Sequence, residues 1–112
     1  VKVFFLNRKL LIEKIKQATA ELVTERPEVR KVILFGSVAE SRALPSSDID
    51  ILLITECNNE RFIDRPPRYL SFFQDIPMSV DCFVYSVEEI QSGKHPLAQT
   101  AIRMGTVLFE RG

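Results

Sequence analysis

Apolar and polar positions follow two periods along the chain, and the changes between them predict an alternating order of helices and strands. From Asn7 to Glu25, Leu11, Ile15, Ala18 and Leu22 recur at helical spacing, while Glu13, Lys14, Lys16, Gln17 and Glu21 fill the other face. That stripe belongs to an amphipathic helix packed against a sheet, and Pro27 stops it. Val1 to Leu6 is a short apolar run whose period fits an edge strand or a helical lead-in equally.

Val32-Ile33-Leu34-Phe35 is β-branched and aromatic and breaks at Gly36, which predicts a buried strand. Gly36-Ser37 then opens a short helix, and Ala43 to Ser47 forms a loop. Asp48 to Ile54 carries apolar residues on both faces, as a central strand does. Between Glu60 and Gln74, Phe62, Ile63, Tyr69, Leu70, Phe72 and Phe73 mix with charges, and Pro66-Pro67 opens a helical part. Ser79 to Tyr85 is a third strand, and Ser86-Val87-Glu88-Glu89 has the form of a capping box. His95-Pro96 starts a last helix through Met104, Gly105 stops it, and Thr106 to Glu110 closes the chain as a short strand. The expected architecture is α/β (α+β), a small mixed sheet flanked by helices, in one domain over residues 1–112.

Composition narrows the function. The 112 residues carry 15 Lys+Arg and 15 Asp+Glu, a formal net charge of zero, so direct nucleic-acid binding, which needs a clustered basic excess, is not expected. No apolar stretch approaches the ~20 residues that span a bilayer, and Val1 to Leu6 is shorter than a signal-peptide core. The expectation is a cytoplasmic protein without membrane contact. Cys57 and Cys82 form no C-x-x-C pair and are expected to be free thiols.

The chemistry concentrates between Leu34 and Asp50. A Gly36-Ser37 step between strand and helix lets backbone approach a ligand and aims free N–H groups and a hydroxyl at it, a corner suited to phosphate. Asp48 and Asp50 lie two apart on a strand, so both project to one face about 6.6 Å apart. Two such carboxylates suit Mg2+, which completes its shell with phosphate oxygens and water. Asp81, on a later strand, supplies the third acid of a two-metal arrangement. Placed between Val80 and Phe83, it would cost several kcal/mol if buried without a partner, and a cation is the expected compensation. His95 is read as a surface residue at a helix start without a catalytic role, and Lys94 and Arg103 fit a phosphate contact or a solvated helix face equally well. Tyr69 and Tyr85 are read as packing residues, and Phe62, Phe72 and Phe73 as core.

Gly36-Ser37, the gap, Asp48-x-Asp50 and Asp81 together resemble the signature of the minimal nucleotidyltransferases, within the DNA-polymerase-β-like superfamily, and Gly105 to Glu110 is similar to its closing strand. The resemblance implies that Gly36 and Ser37 hold the phosphates of a nucleoside triphosphate, ATP in particular. It implies that Asp48 and Asp50 ligate two Mg2+ ions and that Asp81 ligates the catalytic one and helps activate the acceptor. A nucleoside monophosphate is then transferred and pyrophosphate leaves. Members this small borrow their acceptor site, commonly from a HEPN-domain protein encoded alongside, and some are antitoxins that adenylylate a tyrosine on that toxin. Self-association is compatible with this picture. Val38 and Glu40 stand where many members carry arginine, and Ser41 where many carry glycine; Arg42 is a candidate for the displaced positive charge. This departure motivates a second expectation, a module of the same fold that restrains a partner by binding alone. A third, an enzyme modifying small molecules, is disfavoured by the absence of an acceptor domain.

Overall fold

The computed structural model describes residues 8–36, 48–56 and 59–111. Helix α1 (Arg8–Glu25) buries Leu11, Ile15, Ala18 and Leu22, the stripe expected from their spacing, and adds Thr19. Thr19 is tolerated there because its hydroxyl donates to the Ile15 carbonyl at 2.8 Å. The chain turns after Arg26, whose N–H closes on the Leu22 carbonyl.

Strand β1 (Val29–Phe35) begins three residues before the apolar run. Val29 is fully buried and pairs with Thr55 of β2 (Ile49–Thr55), and a register shift between Val29 and Lys31 interrupts the ladder. The intervening Arg30 and Lys31 mask this first part of the strand in the sequence pattern. Strand β3 (Val80–Ser86) lies parallel to β2, and β4 (Thr106–Glu110) lies antiparallel to β1, giving the order β3-β2-β1-β4. β2 is therefore central. Ile49, Ile51 and Leu53 face the core beneath α1, while Leu52 and Ile54 face a smaller cluster with Ala98 and Ala101 on the opposite side.

A parallel pair requires a crossover, and the chain from Pro66 onward supplies it in pieces rather than as one helix. A 3-10 turn (Phe62–Asp64), the single-turn α2 (Pro67–Leu70) and a second 3-10 turn (Ser71–Phe73) follow one another. Pro66 and Pro67 remove two backbone donors, and between the first turn and α2 the side chain of Arg65 is drawn inward until it is 5% exposed. It donates to the Glu60 carbonyl at 3.0 Å, to the Val84 carbonyl at 2.9 Å and to both carboxylate oxygens of Glu89 at 2.7 and 3.2 Å. Among the described strands β3 lies at the edge, and this guanidinium occupies one of its carbonyls that a foreign strand would otherwise seek. Glu89 is fixed in turn by the capping box of α3 (Val87–Gln91), where Ser86 and Glu89 exchange hydrogen bonds.

Helix α4 (Pro96–Met104) starts with Pro96 in its first turn, as expected. Gly105 ends it for a different reason from the one its sequence suggests. Its φ of −84° and ψ of 175° are open to any residue, so no left-handed cap is formed. A Cβ there would stand 2.5 Å from Ile33 Cγ2, 2.6 Å from the Ala101 carbonyl and 2.8 Å from the Leu34 carbonyl. Gly105→Ala is expected to destabilise the fold by about 1–3 kcal/mol through overpacking, read as a lower urea midpoint at unchanged slope. Among the described residues, no helix is long and apolar enough to cross a membrane.

Candidate active site

The parallel register of β2 and β3 pairs Asp50 with Asp81, which sets the two side chains on one face of neighbouring strands about 4.8 Å apart. Alternation along β2 and β3 puts them on the side of Leu52, Ile54, Phe83 and Tyr85, the face that α4 covers only in part. Asp48 stands immediately before β2, where the Ile49 N–H donates to the Ser79 carbonyl at 2.8 Å and ties the starts of the two strands together. All three aspartates singled out in the sequence thus meet at one end of the sheet.

Their environments differ. Asp48 and Asp81 are exposed and Asp50 is half-buried. The cost that burial would impose on Asp81 therefore does not arise: among the described strands β3 lies at the edge, and only its alternate residues, Cys82 and Val84, enter the main core. The electrostatic load falls on Asp50 instead. Burial first, then the like charges of Asp81 and Asp48, hold its carboxyl above the usual carboxylate range. Among the described residues every influence on Asp50 has the same sign, and no lysine or arginine offsets it. A concentration of hard oxygen donors with this uncompensated charge fits Mg2+. Among the described residues no three acid, histidine or cysteine side chains close around one point, so Asp48, Asp50 and Asp81 share one end of the sheet without forming a three-ligand metal group.

Gly36 completes the corner from the end of β1. Its φ is +81°, a left-handed conformation that glycine adopts without penalty, and a Cβ at this position would collide with Asp50 Oδ2. The glycine expected to admit a phosphate therefore also admits the Asp50 carboxylate against the backbone. Gly36→Ala is expected to cost about 1–3 kcal/mol of stability and to lower the affinity for Mg-nucleotide by displacing Asp50; titration calorimetry on the folded variant checks the second effect. Ser37, Val38, Glu40, Ser41 and Arg42, the helix expected after Gly36, the loop 43–47, Cys57 and the run Val1 to Leu6 lie outside the described residues.

Two aromatic residues escaped the sequence reading of the site. Phe35, paired with Asp50 across β1 and β2, and Phe83, two residues beyond Asp81, bring their ring centroids to 5.7 Å at an interplanar angle of 55°. The period-2 pattern that groups Phe83 with Asp81 was the available signal. The remaining candidates are structural. Tyr69 donates to Glu28 at 2.8 Å, and burial and that bond raise its phenol above the usual range. Tyr85 lies between Phe62 and His95, with centroids 4.9 and 5.0 Å away. Phe73 is core and Phe72 is partly buried, whereas Phe62 is 42% exposed; the expectation of a core position for Phe62 fails because the segment carrying it runs over the β3 edge. Cys82 is a buried free thiol pushed up to about 12, by burial first and then by Asp81, and is thereby unreactive.

Residues 13–112 match the family model described as polymerase beta, nucleotidyltransferase. The chain belongs to this family. No curated protein matches it. Among solved structures, a protein from Sulfolobus solfataricus described as a nucleotidyltransferase is similar over 94% of this chain and 85% of its own, with 23% identity and a TM-score of 0.68. A toxin–antitoxin complex with AMP-PNP is similar over 85% of this chain and 73% of the other, at 21% identity and a TM-score of 0.65. The MntA–HepT toxin–antitoxin complex follows at 20% identity, 85% and 69% coverage and a TM-score of 0.57. The mixed four-stranded sheet and its flanking helices are the polymerase-β-like nucleotidyltransferase fold.

Proposed function

We propose that this family member is a Mg2+-dependent nucleotidyltransferase that moves AMP from ATP to an acceptor hydroxyl, a tyrosine of a partner HEPN-domain toxin, and so serves as an antitoxin. The observation that carries the reading is the half-buried Asp50, flanked by Asp81 and Asp48 with no opposing positive charge among the described residues. Such a site is unfavourable for the fold alone and favourable once cations arrive. Supporting it, similar structures include toxin–antitoxin complexes, one with AMP-PNP and one a MntA–HepT variant in which two aspartates, two positions apart, are exchanged for glutamate.

In this reading Asp48 and Asp50 would hold both ions and Asp81 one of them. When bound, Mg2+ neutralises triphosphate charge and increases the reactivity of the acceptor oxygen. Gly36 and Ser37 bind the phosphates, and Asp81 orients the acceptor hydroxyl and lies where its proton departs. A bond forms from the acceptor oxygen to the α-phosphorus, the bond from that phosphorus to the bridging oxygen breaks, and pyrophosphate leaves. The three acids, the glycine corner and the sheet lie within one domain, and the partner brings the acceptor to it. Positioning and charge neutralisation supply most of the rate in such transfers.

The test is to combine the protein, Mg-ATP and the HEPN-domain protein encoded beside it. A gain by the partner of one AMP in mass, absent with EDTA, is expected; an unchanged partner mass contradicts the reading. The binding-module alternative, motivated by Val38 and Glu40, instead predicts a complex of unchanged affinity after substitution of the acids and no adduct under any condition.

A further inference from the structure

We propose that Phe35 and Phe83 form a seat for an aromatic ring carried by the acceptor, so that the site selects a phenolic hydroxyl over an aliphatic one; this rests on the nucleotidyltransferase reading above. Both rings are half-buried, packed on the cluster of Ile33, Leu52 and Ala101, and they stand on the face of the sheet that carries Asp50 and Asp81. Phe83 lies two residues beyond Asp81, about 6.6 Å along the strand, and Phe35 is the cross-strand neighbour of Asp50. Their tilted contact at 5.7 Å lies within the 4.5–7 Å range of favourable aromatic pairs, and a third ring set against it would gain the same kind of contact.

A phenol has an apolar body and one polar end. With its ring against Phe83, its hydroxyl points back along β3 toward Asp81, the acid placed to orient the acceptor. Among the described strands β3 lies at the edge, so the approach is from the side of the sheet rather than through it. A serine or threonine hydroxyl brought to the same acid gains nothing from the rings. Phe83 is a positioning residue in this scheme. In the nucleotidyltransferase reading Gly36 holds the nucleotide phosphates, so losing the Phe83 ring weakens the acceptor and leaves the nucleotide.

The probes are N-acetyl-tyrosinamide and N-acetyl-serinamide, titrated by NMR into the full chain saturated with Mg2+ and α,β-methylene-ATP, which cannot release AMP. The tyrosine probe is expected to shift the Phe35 and Phe83 ring signals and to bind more tightly than the serine probe. Phe83→Leu should weaken the tyrosine probe roughly 2- to 13-fold, the range of one aromatic pair, with nucleotide affinity unchanged. Phe83→Trp should restore binding, and it also carries the test if the leucine variant fails to fold. Equal binding of the two probes overturns the proposal, as does an unchanged tyrosine affinity in Phe83→Leu. A loss of nucleotide rather than probe affinity overturns it as well, and assigns the rings to the base. Because no transfer occurs in this experiment, its outcome is separate from the fate of the catalytic reading, which the partner-adduct assay decides.

Discussion

Asp50→Asn is expected to abolish nucleotidyl transfer while raising the melting temperature of the metal-free protein. The loss follows from removing a charged oxygen donor at the centre of the acid cluster: metal-assisted charge stabilisation is worth several kcal/mol, so the rate should fall on the order of 10³-fold. The gain follows from the environment of the same group. Its folded carboxyl is held above the ordinary range by burial and by Asp81 and Asp48, so the ionised form opposes folding, and this opposition sets in as pH rises through the folded value. An uncharged isostere removes it. Rate and melting temperature measured on one preparation check both halves, and saturating Mg-ATP should stabilise wild type, by about 2.7 kcal/mol at 100 times the dissociation constant, but not the variant.

The second large effect has the opposite character. Glu89→Ala should cost about 3 kcal/mol of stability, since it leaves the Arg65 guanidinium, 5% exposed, without its carboxylate partner. The side chain of Glu89 is 31% exposed, which keeps the loss toward the lower end for a broken buried pair, and the melting temperature should fall by roughly 10–20 °C. The pH dependence has a definite sign. The hydrogen bonds from Arg65, then the backbone bond at Ser86, lower the Glu89 carboxyl below its ordinary 4.5. Its stabilisation is therefore complete above about 4.5 and is lost as pH falls through the folded value. Urea unfolding of wild type and Glu89→Ala should show a gap that is widest at neutral pH and narrows in acid. Asp50 opposes this trend in wild type, because its share of stability improves as pH falls, so the comparison is cleanest in an Asp50→Asn background.

The two predictions separate what the sequence displays from what it hides. The α1 stripe, the two-faced β2 and the Ser86 capping box are local patterns with one physical solution, and they are legible residue by residue. The spacing of Asp48 and Asp50 is equally local. That Asp81 lies beside Asp50 depends on the parallel register of β2 and β3, a tertiary fact that alternation alone does not fix; the family resemblance supplied the link. Burial was harder. Apolar neighbours leave the exposure of Asp81 open until the strand order puts β3 at the edge of the described sheet, while Arg65, one of several arginines near two prolines, carries no sequence sign of its burial. Val29 was hidden because the bulge and two basic residues broke the apolar run of β1. Gly105 was placed at the right position by helix-stop logic, but close packing against Ile33, not a left-handed turn, is what requires it there.

The most direct test of the account is the fate of label in ATP. With the protein, Mg2+ and the HEPN-domain partner, ATP labelled on the α-phosphate should leave its label on the partner, and ATP labelled on the γ-phosphate should release it as pyrophosphate, with both signals lost in Asp50→Asn. Retention of the γ-label on the partner, or α-label transfer undiminished by Asp50→Asn, would contradict the assignment of nucleotidyl transfer to this acid cluster.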